Sequence, residues 1–145
     1  VIFRIHPAGF GGLLLSLALN SLPAIAQAVE LPQPNATGDY SRRTGHRYWV
    51  VVDPDPEGLN CRWSTAMPKN WYDPSAAFPA MDIQNWPVVK RFKRNQALLA
   101  NTIPAGFAVV LDETDKPWLK VNLGAETNIC LVRANAQFIR PYDRE

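Results

Sequence analysis

The feature that most constrains this chain is the punctuation of its C-terminal half. Short apolar runs at 88–92 (VVKRF), 97–101 (ALLAN), 107–111 (FAVVL), 118–123 (WLKVNL) and 128–133 (NICLVR) alternate with KRNQ, TIPAG, DETDKP, GAET and ANAQF, and IRPY ends the pattern. Strand-length runs separated by turn residues about every ten positions predict a small all-β barrel or sandwich. The run WLKVNL alternates most cleanly, so Leu119, Val121 and Leu123 are expected inward and Lys120 and Asn122 toward water. NICLVR is apolar at four consecutive positions, which predicts cover on both faces.

Upstream, RYWVVV (47–52) and LNCRW (59–63) read as two further strands, with DPDPEG as the turn between them. Alternation in the second places Leu59, Cys61 and Trp63 on one face. Asp53, Asp55, Glu57 and Gly58 imitate the opening of a calcium-binding EF-hand loop. The imitation fails where the loop needs a bidentate glutamate, because that position is Ser64. Two prolines also stiffen a backbone that would have to wrap the ion. A turn closed by Gly58 is the better reading, and no metal or cofactor is expected.

The N-terminus has a different character. Arg4 and His6 precede the apolar run AGFGGLLLSLALNSL, and Ala26 and Ala28 then stand at the A-x-A spacing. This predicts a signal peptide over 1–28, cleaved after Ala28, with export to the periplasm or beyond. The alternative is a membrane anchor, but the run is shorter than the roughly 20 apolar residues a span needs. Residues 29–46 (LPQPNATGDYSRRTG within them) show no period and read as a flexible leader. The domain is then 47–145, interrupted at 64–87 by a long irregular insertion.

With 145 residues, 13 prolines and a formal charge of +2, the chain suits one turn-rich domain with no strong pull on nucleic acid. Cys61 and Cys130 are its two cysteines. In an exported protein they can form a disulfide closing a loop of roughly 70 residues, or remain as buried thiols.

Catalytic chemistry is weakly signalled. No G-x-S-x-G elbow is present, and His46 is the one histidine after residue 28. A cysteine–histidine pair would need Cys61 free, yet Cys61 falls within a strand run. Asp112, Glu113 and Asp115 sit in one turn and read as solvated turn residues. The basic run Lys90 to Arg94 splits between two faces of a strand. The stronger site candidates are aromatic: Trp63, Trp71, Tyr72, Phe78 and Trp86, rings that can line a peptide groove or stack on sugars. Arg62 and Lys90 could pair a ligand carboxylate. The same rings could equally form a minicore of the insertion.

The segment VVDPDPEGLNCRW, with Leu59-Asn60-Cys61-Arg62, resembles the opening of bacterial SH3-like (SH3b) domains. PVVKRF at 87–92, Trp118-x-Lys120-Val121 and ANAQFIRP at 134–141 resemble later strands of that family, in short exported proteins of cyanobacterial type. The resemblance implies an SH3-like barrel with a long insertion (64–87) in its first loop. It brings the strands of Cys61 and Cys130 near each other, a route to a bridge between them. It also implies non-catalytic binding of a cell-wall peptide or glycan, or of a protein partner. The alternative is an assembly protein that docks on another envelope protein through the insertion.

Overall fold

The computed structural model describes residues 30–144, so the apolar N-terminal run and the cleavage expected after Ala28 lie outside the described residues. Eight strands are present: β1 (Tyr48–Val51), β2 (Leu59–Arg62), β3 (Val88–Phe92), β4 (Ala97–Leu99), β5 (Val109–Leu111), β6 (Pro117–Asn122), β7 (Ile129–Arg133) and β8 (Ile139–Pro141). One 3-10 turn, Ile83–Asn85, is the only helical element among the described residues. Each strand falls in a run expected from the sequence, except that β6 starts one residue earlier, at Pro117 of the expected turn. The protein is all-β, with two antiparallel sheets ordered β4-β1-β8 and β3-β2-β7-β6-β5. Neither sheet closes on itself. They meet where Ala100, just past β4, bridges Val121 of β6.

The turn between β1 and β2 shows why its acids are there. Asp53 Oδ1 accepts the Asp55 amide at 2.9 Å, and Asp55 Oδ1 accepts the Glu57 amide at 2.8 Å. Both carboxylates are used as turn-forming side chains. Gly58 has φ +97°, and a Cβ there would lie 2.6 Å from the Phe92 carbonyl oxygen. Only glycine fits that close approach of β2 to the end of β3.

The first core fills the space between the sheets. Trp49 and Val51 of β1, Leu98 of β4 and Ile139 of β8 meet Leu59, Cys61, Phe92, Leu119, Val121 and Val132. Cys61 and Cys130 are bonded inside it, with Cα atoms 5.5 Å apart. β2 and β7 are neighbours in the sheet, which supplies the proximity the bond needs.

A second core lies on the opposite face of the five-stranded sheet. The insertion joins β2 to β3, so it belongs to the second connection rather than the first. Its ends are held together where the Trp63 amide donates to Pro87 O at 3.1 Å. Met67, Trp71, Met81, Ile83 and Trp86 from this segment cover Trp118, Ile129 and Leu131 of the sheet. Alternation in β7 sends Cys130 and Val132 to one core and Ile129 and Leu131 to the other. That is why four consecutive apolar residues are needed there.

This second layer corrects the expectation for Lys120. Its neighbours Leu119 and Val121 face the first core as expected, but the face left to Lys120 is covered by the insertion. Lys120 is 2% exposed. Asp112 is a second correction. It is buried, and its carboxylate accepts the Trp118 indole N–H at 2.9 Å, the Thr114 amide and hydroxyl at 2.8 Å, and the Lys116 amide at 3.0 Å. Burial pushes this carboxyl up, but the hydrogen bonds together hold it below the usual carboxylate range.

The segment read as a flexible leader is packed over its described part. Tyr40 enters the first core edge-on to Trp49, with ring centroids 4.9 Å apart. Its amide donates to Ala134 O at 2.9 Å. The Asp39 carboxylate accepts from Arg133 and from Asn135 at 2.7 Å each, and Asp39 bridges Asn135. The folded unit therefore begins before residue 47. No period shows in this segment because one aromatic and one carboxylate hold it, rather than a strand.

A cationic apolar cleft

A cleft of about 420 Å³ opens between residues 41–43, the insertion and β5. Pro74 and Phe78 of the insertion form one wall, and Ser41, Arg42 and Arg43 another. Phe107, Pro104 and Ala105 stand before β5, whose three residues Val109, Val110 and Leu111 all border the space. Lys120 completes the lining from β6.

The apolar surface comes from rings and branched chains, and three positive charges are set around it. The Arg43 guanidinium lies 4.5 Å from the centroid of the Phe107 ring, a cation–π contact that supports both groups. Lys120 Nζ donates to the Ile103 carbonyl and sits 5.5 Å from the centroid of the Trp71 ring. Among the described residues no carboxylate lines the cleft, so these cations have no acidic partner in it there. Burial pushes the Lys120 ammonium down to about 8, because removing a charge from water disfavours the charged form.

The expected aromatic site divides. Trp71 and Trp86, 3% and 7% exposed, belong to the second core, and Trp63 packs against it half-buried. Their faces are spent on the sheet. Tyr72 and Phe78 are 46% and 40% exposed. Tyr72 stands edge-on to Trp71 at 5.8 Å, and Phe78 alone of the five rings lines the cleft.

Arg62 Nη1 donates to the Trp86 carbonyl at 2.7 Å, tying β2 to the end of the insertion. Arg62 also borders a separate cleft of about 560 Å³ with Lys116, Arg133, Asp53 and Asp55, where both signs of charge occur. Lys90 is exposed on β3, its Nζ 5.3 Å from the Phe92 ring centroid. Neither cation reaches the apolar cleft.

Sequence reasoning missed Arg42, Arg43, Phe107 and Lys120. The two arginines were visible in GDYSRRTG but lay in a segment read as outside the domain. Lys120 was hidden by an alternation rule that holds only when the outer face of the sheet is wet.

Comparison of the chain with protein-family models, with curated proteins and with solved structures found no match.

Proposed function

We propose that this domain is a non-catalytic binding module of SH3-like type, acting after export in the periplasm or at the cell wall. Its ligand is a wall peptide or glycan, or a segment of a protein. The observation that carries the reading is the cleft itself. It is concave and apolar, with exposed Phe78 and Phe107 both in its lining, and its charges are of one sign. Ligand sites combine an apolar body with a few convergent polar groups in this way. The resemblance of the β2, β3 and β6 segments to SH3b domains points in the same direction. Cys61 and His46, the nucleophile and base that a cysteine–histidine mechanism would need, are both engaged elsewhere. Cys61 is bonded to Cys130, and His46 Nε2 faces the carbonyls of Tyr48 and Tyr142 at 2.8 and 3.1 Å.

Co-sedimentation of the oxidised, exported protein with purified peptidoglycan sacculi at near-physiological salt tests this function. Saturable pelleting that survives added salt supports a wall-binding module. Absence of pelleting, together with no partner in a pull-down from envelope extract, overturns the binding reading.

Exposed Tyr72 and Phe78 on the insertion favour one second reading, an assembly protein docked through residues 64–87. Loss of a defined envelope complex on Tyr72→Ala, with sacculus binding unchanged, would select it.

A further inference from the structure

The cleft has an unusual relation to its strand. Successive side chains of a β-strand point to opposite faces. Val109 packs toward the first core and Val110 toward the second, yet both border the cleft, as does Leu111. A space touched by three consecutive strand residues runs along the strand's edge rather than over one face. β5 ends the five-stranded sheet, so among the described residues no strand lies on its outer side. The chain's own N-terminal segment pairs as far as Ala108, whose amide donates to the Thr44 carbonyl at 2.9 Å, and then diverges to form the far wall. What remains is an open strand edge, an apolar slot and a one-signed set of charges.

We infer that the cleft binds the free C-terminus of a protein segment, which adds as a short strand to the edge of β5. Its terminal carboxylate is held by Arg42, Arg43 and the Lys120 ammonium, and its last apolar side chain sits between Phe78 and Phe107. This rests on the binding reading above and narrows it. Each component has a physical reason. Strand addition satisfies backbone groups that a sheet edge leaves open, and alternate side chains supply specificity. A carboxylate is the complement of cations that have no acidic partner in the cleft. Lys120 is nearly fully buried and already ordered, so little side-chain freedom is lost when it engages an anion. A protein terminus fits better than a glycan, because the slot offers an edge for backbone pairing and hydroxyl groups only from Ser41.

The test uses a fluorescently labelled short peptide ending in leucine with a free carboxylate, and the same peptide as its C-terminal amide. Binding to the exported, oxidised protein is read by anisotropy. The free acid is expected to bind at least about tenfold more tightly than the amide, a difference of about one decade in Kd. Lys120→Met and Arg43→Gln should each weaken the free acid more than the amide and so remove most of that preference. Lys120→Met replaces a buried cation by an apolar chain of similar length, so a folding defect would show in its circular dichroism and would not be mistaken for lost recognition. Equal binding of acid and amide overturns the carboxylate assignment but leaves a binding module. No binding of either peptide, with sacculi still pelleting the protein, overturns the protein-terminus assignment in favour of a wall ligand. No binding of peptides or sacculi removes both.

Discussion

Lys120 makes the stability of this protein rise with alkali, which is the reverse of the usual expectation for a folded domain. Burial lowers its folded-state pKa from 10.5 to about 8. Below pH 8 the group is protonated in both states, and the folded state carries the full cost of a buried charge. At 1.36 kcal/mol per pH unit that cost is about 3 kcal/mol. Between 8 and 10.5 the unfolded chain binds more protons than the folded one, so unfolding becomes less favourable as pH rises. Integrated from pH 7 to pH 10, the gain is about 2 to 3 kcal/mol. Tyr40 acts the other way. Burial raises its pKa above 10.0, against an opposing pull from Arg140, so its contribution is lost only above pH 10. The window from 7 to 10 isolates the lysine. The assay is urea unfolding of the oxidised protein followed by tryptophan fluorescence at a series of pH values. The midpoint should climb across the window in the native protein and stay level in Lys120→Met. At pH 7 the variant should be the more stable of the two. Its gain is about 1 kcal/mol less than the full cost, because the Ile103 carbonyl loses its partner. A native midpoint that is flat or falling from pH 7 to 10 would refute the reasoning, as would a climb that persists in Lys120→Met.

Four further outcomes are expected. The double variant Cys61→Ser with Cys130→Ser opens a loop spanning a sequence separation of 69 and should lose about 4 kcal/mol, read from denaturant midpoints. Gly58→Ala should cost about 2 kcal/mol or more in the same assay, since its Cβ meets backbone rather than a movable side chain. Trp71→Ala should destabilise by about 3 to 5 kcal/mol as a second-core residue. By contrast Phe78→Ala should change stability by about 0.5 kcal/mol or less and weaken ligand binding.

The strands were legible because their signal is local. Each run of apolar and β-branched residues ended at a turn whose chemistry could be named, and 88–92 became β3 without adjustment. NICLVR was legible for the same reason, since burial on two faces leaves no polar position to alternate with. The disulfide was legible only as a possibility, because pairing depends on which strands become neighbours. The site was much less legible. Trp71 and Trp86 carry the same sequence signal as Phe78, and whether a ring is core or surface depends on where the insertion folds back. Arg43 gains its place from Phe107, which lies 64 positions away in sequence, a relation no local pattern encodes. Lys120 was misread because its environment is supplied by a segment nearly fifty residues upstream.

The two cores share β6 and β7 as a common wall, and this bears on how the protein can be altered. A loop that leaves and re-enters a hairpin at Trp63 and Pro87 invites trimming to a tight turn. Excision would strip the cover from Trp118, Ile129 and Leu131 and turn an interior face into a greasy exterior. The shortened protein would then gain a self-associating surface, and Lys120 would return to water with an ordinary amine. Residues 64–87 are therefore better described as the third layer of the domain than as decoration on two sheets.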